Sequence, residues 1–254
     1  LVTKVDYANE TLSFYHPDSF SYQGEGRVLS SPISQSDFFE LPVSIDGEHG
    51  GRWMLDLGAG GMSFHYSYAE EHGLFNLPGV DGLGHGAGGS SPRRRVLFDS
   101  IEFAGHTLPK SVVSMPLERG GGGFGHTDLT GNIGNTLLRH FVLYLDYQRE
   151  QVIVEKGDDF DRVFPRDNSG LQLANVENDR LEVIFVADNT PAAEAGFEMG
   201  DILTAVNEIE IEHLGGIVAV VKLLRKSPGT KLSVEVSRGG EAKKVSLTLR
   251  DLYL

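Results

Sequence analysis

A single carboxylate stands where chemistry could be done. Asp56 follows the apolar run Trp53-Met54-Leu55 and precedes Leu57-Gly58-Ala59-Gly60. The apolar run reads as a buried strand, and the glycines let the chain turn sharply and let other groups approach the carboxylate. A carboxylate at the end of a buried strand is costly unless it is paired, hydrogen-bonded or put to chemical use. Further on, Gly131-Asn132-Ile133-Gly134 leads through Asn135–Phe141 into Val142-Leu143-Tyr144-Leu145, which ends in Asp146-Tyr147. Between the two lies the glycine-rich stretch Gly82–Ser91. It is no phosphate loop, because no Lys-Ser/Thr follows and it opens no helix.

The Asp56 stretch resembles the active-site loop of the retropepsin-like aspartic proteases, whose signature is two or three apolar residues and then Asp-Thr/Ser-Gly-Ala. The fit holds at Asp56, Gly58 and Ala59 and fails at Leu57, where the family has a hydroxyl. Bacterial members also have an apolar-Gly element like Ile133-Gly134 before a short helix and a last strand ending in Asp-Tyr. The resemblance covers roughly residues 37 to 160. It implies a mainly β chain with an acid-protease β-barrel lobe over residues 37–165 and Asp56 as a catalytic residue. Gly58, Ala59, Ile133 and Gly134 would build the active-site loop, and Gly84, His85 and Gly86 would lie in a flap that opens and closes over a peptide.

That chemistry needs two carboxylates sharing one proton. One takes a proton from a water, the water attacks the peptide carbonyl, and the other acid donates to the oxygen. No metal or cofactor is required. Asp56 is the one aspartate here in that context. Asp6 and Asp146 read as strand-end residues, and Asp128 lacks the Asp-x-Gly loop. The second carboxylate is therefore expected from an upstream lobe or from a homodimer partner. Leu57 can neither donate nor accept a hydrogen bond through its side chain. This leaves open an alternative, a catalytically degenerate lobe in a peptide-binding scaffold.

After Phe164-Pro165 the pattern changes. Gly170-Leu171-Gln172-Leu173 precedes the strand pattern Leu181–Val186, then Thr190-Pro191-Ala192-Ala193-Glu194-Ala195-Gly196 and Gly200-Asp201-Ile202-Leu203. Thr190 reads as a helix N-cap, Pro191 as the first helical residue and Gly196 as the stop. Residues 214 to 226 form the longest helical pattern, with Ile217, Val220, Val221 and Leu224 on one face. This order resembles a PDZ domain of the bacterial type, over residues 166–254, a small β-barrel with two helices. The resemblance implies that an extended peptide adds as a strand. Amides around Gly170, Leu171, Gln172 and Leu173 would receive its C-terminal carboxylate, and Leu171, Leu173, Ile217 and Val221 would line the pocket.

The elements that position these groups begin with a repeat. Val5–Phe14 aligns with Leu145–Val154 at an offset of 140 residues, with Asp, Tyr and Glu coinciding. Each copy reads as a hairpin, followed by an Asp and a Phe (Asp18 and Phe20; Asp158 and Phe160). The N-terminal copy thus reads as the tail of an earlier protease-like lobe, joined through a linker so that residues 1–36 precede the main lobe. Residues 21 to 37 are Ser-, Gly- and Gln-rich and carry the linker. Phe39–Ile45 and Arg52–Leu55 read as strands around the turn Asp46–Gly51. Arg93-Arg94-Arg95 reads as a solvated turn, Gly120–Gly123 as a loose loop, and His65 and His85 as surface residues.

Net charge and residue usage narrow the partners. Lys and Arg total 22 against 36 Asp and Glu, a net charge of −14, which argues against nucleic acid and anionic membrane surfaces. There is no cysteine, so no disulfide, thiolate metal site or Cys nucleophile. The nine His show no His-Glu-x-x-His pattern, and Gly-x-Ser-x-Gly is absent. No apolar run approaches the ~20 residues of a membrane span. The chain begins with Leu and reads as a processed product, and the company that PDZ domains keep in bacterial proteases implies a periplasmic or envelope location.

Overall fold

The computed structural model describes residues 1–33, 37–86, 89–119, 128–177 and 180–254. Gly120–Gly123 and residues 87–88 of the glycine-rich stretch lie outside the described residues. In chain order the strands and helices begin with β1 (Val2–Asp6), β2 (Thr11–Tyr15), β3 (Arg27–Ser30), β4 (Glu40–Ile45), β5 (His49–Leu55), β6 (Met62–Phe64) and α1 (Tyr66–Glu71). They continue with β7 (Val80–Gly86), β8 (Gly89–Phe103), β9 (His106–Pro116), β10 (Gly131–Ile133), α2 (Asn135–Leu138), β11 (Phe141–Asp146) and β12 (Gln151–Lys156). The C-terminal part has β13 (Leu171–Val176), β14 (Arg180–Val186), α3 (Pro191–Ala195), β15 (Ile202–Val206), β16 (Ile209–Glu210), α4 (Ile211–Leu214), α5 (Gly216–Leu224), β17 (Lys231–Arg238) and β18 (Glu241–Thr248). Two compact units result: Leu1–Leu77 with Arg95–Val163, and Pro78–Arg94 with Phe164–Leu254.

In the first unit one sheet has the order β2-β1-β11-β12-β3. The expected linker thus contains a strand, because Leu29 points inward and pairs with Val152 while Val28 pairs with Ile153. The β1–β2 and β11–β12 hairpins repeat each other in detail. Asp6 faces Thr11 in one, and Asp146 faces Gln151 in the other. Glu10 and Glu150 both take positive φ, at 52° and 48°. Asn9 N–H donates to Asp6 at 3.2 Å, as Arg149 N–H does to Asp146 at 3.1 Å. The two aspartates are buried because they cap their own turns. β1 and β11 run antiparallel with Lys4 opposite Tyr144, residues 140 apart, so a local pseudo-twofold passes through that pair.

The other sheet of this unit has the order β4-β5-β10-β6-β9-β8. Leu41, Val43 and Ile45 alternate inward along β4, the period-two pattern of a half-buried strand. With Phe39, Trp53, Phe64, Phe103 and Phe141 they form the core. β10 runs parallel to β5 and antiparallel to β6, so it threads between them.

In the second unit the sheet runs β13-β14-β15-β17-β18, with β16 on β15. Val220 and Leu224 of α5 are buried with Leu181, Val183, Val234, Val236 and Leu247. α3 begins at Pro191 and ends at Gly196, whose φ of 82° suits glycine. Thr190 stands at the cap position, but its hydroxyl donates to the Ala187 carbonyl at 2.6 Å instead of capping. β7 and the start of β8 form a hairpin that packs within this unit. Arg93, Arg94 and Arg95 lie half-buried in β8, not in a solvated turn. Arg94 explains part of this, since its guanidinium grips the Asp81 carboxylate at 2.6 and 2.9 Å across the hairpin.

Candidate active site and peptide-binding loop

Backbone hydrogen bonds pin the loop that carries Asp56. Leu55 N–H donates to Phe39 C=O at 2.9 Å, and Asp56 N–H to Ile133 C=O at 3.0 Å. Ile133 and Gly134 therefore lie beside the Asp loop. A Cβ at Gly134 would stand 2.2 Å from the Gly61 carbonyl oxygen and 2.8 Å from that of Ala59, so only glycine fits. Asp56 is half-exposed, and its Oδ1 accepts from Gly58 N–H at 2.8 Å. A carboxylate so held is oriented while its other oxygen remains available to a water or a second acid. Ala59 closes the turn, with its N–H on the Asp56 carbonyl at 3.2 Å.

A brace that the sequence reading missed holds the same loop. Asn135 donates from Nδ2 to the Leu57 carbonyl at 3.0 Å and from its backbone N–H to the Ala59 carbonyl at 2.8 Å. Tyr7, from the N-terminal hairpin, donates its hydroxyl to Asn135 Oδ1 at 2.6 Å. Burial pushes the Tyr7 phenol up to about 12, so it is a neutral donor at any ordinary working pH. The Leu57 side chain is 38% exposed, while its backbone is anchored. The only available sequence signal was the Tyr7–Tyr147 match in the repeat, which does not reveal a contact to Asn135. His65 also departs from expectation. It is buried, and its Nε2 lies 2.5 Å from Asn132 Oδ1 because the chain folds it against β10.

Gly84, His85 and Gly86 end β7, in the unit formed with residues 164–254. The Arg93 side chain occupies the place of a Gly84 Cβ, whose Nε would lie 2.1 Å away. His85 is exposed and its Nδ1 lies 2.8 Å from Ser90 Oγ. Earlier in β7, Leu83 N–H donates to Gln172 Oε1 at 2.5 Å and Gln172 Nε2 donates to Leu83 C=O at 2.8 Å. The Gln172 amide thus acts as one rung of a ladder to the hairpin.

The loop before β13 is internally satisfied. Gly170 takes φ of 82°, and Thr190 fills the space a side chain would need, 2.2 Å from a Cβ. Asp167 Oδ2 accepts from Gly170 N–H at 3.0 Å, and Oδ1 accepts from Ser169 N–H at 3.0 Å and from Ser169 Oγ at 2.6 Å. Leu171 N–H in turn donates to Ser169 Oγ at 3.1 Å. The Gly170 and Leu171 amides, expected to receive a terminal carboxylate, are thereby engaged within the chain. Leu171 is a core residue at 6% exposure, not a pocket wall, because its side chain turns inward onto the β-sheet core. Leu173, Ile217 and Val221 are half-buried, on β13 and on α5 beside it. Asp167 and Ser169 went unread in the sequence, although Asp-x-Ser-Gly is the spacing of a side chain that bonds backbone amides two and three residues on.

Among the described residues, no group of three or more His, Asp or Glu is placed to hold a metal ion, and no helix is long and apolar enough to cross a membrane.

Comparison with known proteins gives two family matches in succession along the chain. The aspartyl protease family model matches residues 41–136, and the PDZ domain model matches residues 169–249. A curated relative, the zinc metalloprotease RasP of Shouchella clausii (strain KSM-K16), is 37% identical over 80 residues, 32% of this chain. The matched part spans only 18% of that relative's length. Among solved structures, a retropepsin-like aspartic protease from Rickettsia conorii is 16% identical with a TM-score of 0.38, over 50% of this chain and 98% of that one. An aminopeptidase N family protein from Idiomarina loihiensis is 23% identical with a TM-score of 0.29, over 34% of this chain and 14% of its own.

Proposed function

With a retropepsin-like aspartyl protease domain over residues 41–136 and a PDZ domain over residues 169–249 as premise, we propose an aspartic endopeptidase whose PDZ domain holds the substrate polypeptide. Asp56 supplies one carboxylate. A second lobe, upstream in the same polypeptide or in a second copy, supplies the other. The ionised member removes a proton from a water, which attacks the scissile carbonyl carbon. The protonated member donates to the carbonyl oxygen, and collapse of the tetrahedral species expels the amine.

The observation that supports a second lobe is the pseudo-twofold through Lys4 and Tyr144. β12 is covered on its far side by β3, and Val152 and Val154 are fully buried. Their counterparts on β2, Leu12 and Phe14, are 61% and 62% exposed. Covering those two side chains would contribute ~3–6 kcal/mol gross, before the cost of association.

The test is cleavage of an unstructured protein such as reduced casein, measured against chain concentration and with an upstream lobe added in cis. Activity that rises with dimerisation or with the added lobe, and that transition-state mimics of the statine type inhibit, supports the reading. Cleavage by a monomer that carries no second lobe would refute the shared dyad. Inactivity in every form would favour a peptide-binding scaffold, the reading to which Leu57 lends itself.

A further inference from the structure

A PDZ groove normally ends at backbone amides left free for a peptide's terminal carboxylate, and here the first two of the four expected donors, Gly170 and Leu171, have an internal occupant. Each backbone N–H carries one hydrogen. Those of Ser169 and Gly170 are on the two oxygens of Asp167, and that of Leu171 is on Ser169 Oγ, at 3.0, 3.0 and 3.1 Å. The arrangement is buried and fully bonded within itself. Ser169 is fully buried, Gly170 is locked at positive φ against Thr190, and Ser169 Oγ donates to Asp167 while accepting from Leu171. An incoming carboxylate would have to displace a like charge from the donors it needs, and carboxylates a few ångströms apart repel.

Beyond that loop, among the described residues, the chain's own contact on β13 from outside the sheet is at the Gln172 side chain, which Leu83 of the β7–β8 hairpin holds. β13 is the edge of its sheet and is paired on one side, by β14. α5 lies along it, and Leu173, Ile217 and Val221 present half-exposed apolar side chains. An edge strand with an apolar flank receives an extended segment through main-chain hydrogen bonds, with alternate side chains against the flank.

We propose that the β13–α5 groove takes an internal, extended, apolar segment of a polypeptide, and that Asp167 is the specificity residue that keeps a free C-terminus out. The proposal rests on the reading of residues 169–249 as a peptide-binding module. It implies that the recruited substrate is recognised within its chain, not at its end.

The probe is an array of ten-residue peptides with apolar residues at alternate positions, each made with a free carboxylate, with a C-terminal amide, and with a three-residue C-terminal extension. Binding to the whole chain is read by fluorescence anisotropy for the parent, Asp167→Ala and Asp167→Asn. Asn keeps a side-chain acceptor for the loop and removes the charge. A thermal melt of each variant checks folding. In the parent, amidated and extended forms should bind as well as the free form, within about threefold. Asp167→Ala should shift preference to the free carboxylate by about tenfold, and Asp167→Asn by less. Free-carboxylate forms binding the parent tenfold or more tightly would overturn the proposal and leave the peptide-binding reading standing. Absence of binding by every form, to the parent and to both folded variants, would overturn both.

Discussion

The β1–β2 and β11–β12 hairpins share a register, a left-handed turn residue and a buried turn-capping aspartate. Their outer strands nevertheless differ: Leu12 and Phe14 stand in solvent where Val152 and Val154 are fully buried. The hairpin geometry is local and is set by the turn chemistry. The burial of its second strand is set by neighbours, since β12 has β3 on its edge and the lobe's core on its face. β2 has its hydrogen-bonded partner, β1, on one side. Hairpins of one geometry can therefore present a core strand in one place and an open surface in another.

The largest expected effect is at Asp56, which the proposed second lobe would complete. Asp56→Asn is nearly isosteric but removes the base. Cleavage should fall ~10²–10⁴-fold or more while the melting curve is unchanged. Cleavage by the purified variant at the parent rate would take Asp56 out of the mechanism.

Next come substitutions on the two outer strands. Val154→Ala should cost about 2 kcal/mol in chemical denaturation, because it opens a cavity in a closed core. Phe14→Ala should stay within about 0.5 kcal/mol in the isolated chain. Phe14→Glu should abolish any activity that depends on association, with the folded monomer intact. Equal destabilisation by Val154→Ala and Phe14→Ala would show that β2 is covered in solution.

A smaller effect separates the two tyrosines of the turns. Tyr7→Phe leaves Asn135 Oδ1 without its donor and should cost about 1 kcal/mol. It should also lower kcat more than it raises KM, since the Leu57 carbonyl is then held less firmly. Tyr147 is 48% exposed, and Tyr147→Phe should be silent in the isolated chain. If both substitutions behave alike, the brace has no role in positioning the loop.

The smallest effect concerns pH. Burial works against ionisation of Asp6, but the side-chain and backbone bonds from Asn9, with Lys4 beside it, hold its carboxyl below the ordinary 3.8. A carboxyl lowered on folding stabilises fully above its unfolded value and loses that contribution as pH falls through its folded one. Asp6→Asn should therefore flatten the loss of stability below about pH 3.8, measured by urea denaturation between pH 2 and 6. An unchanged acid limb would remove Asp6 from it.

Much of the Asp56 loop's geometry was legible because it depends on local chemistry. Asp56, Gly58, Ala59, Ile133 and Gly134 announce themselves by residue type and order, and the close approach at Gly134 explains why the glycine is there. The repeat could be read because both turns need the same aspartate and the same left-handed residue. Strand β3 was hidden in a Ser- and Gly-rich stretch, since an edge strand of four residues with one buried side chain has almost no periodic signal. Arg93–Arg95 read as solvated because three adjacent charges usually are, and the ion pair of Arg94 with Asp81 across the hairpin accounts for one of the three.

The sequence alone thus determined that an aspartyl-protease-like stretch precedes a PDZ-like one and that one hairpin occurs twice, because these depend on residue type, spacing and turn preference. Only the tertiary structure decided that Tyr7 reaches Asn135 across 128 positions, that Gln172 clasps Leu83 and that the β2 face is uncovered while β12 is buried. It also decided that Asp167 sits on the amides expected to greet a peptide's end. Each is a matter of which surfaces meet, and hydrogen bonds between side chains distant in sequence leave no periodic trace along the chain. Asp167 is the exception among these, because its reach to the amides two and three residues on is local and follows the Asp-x-Ser-Gly spacing.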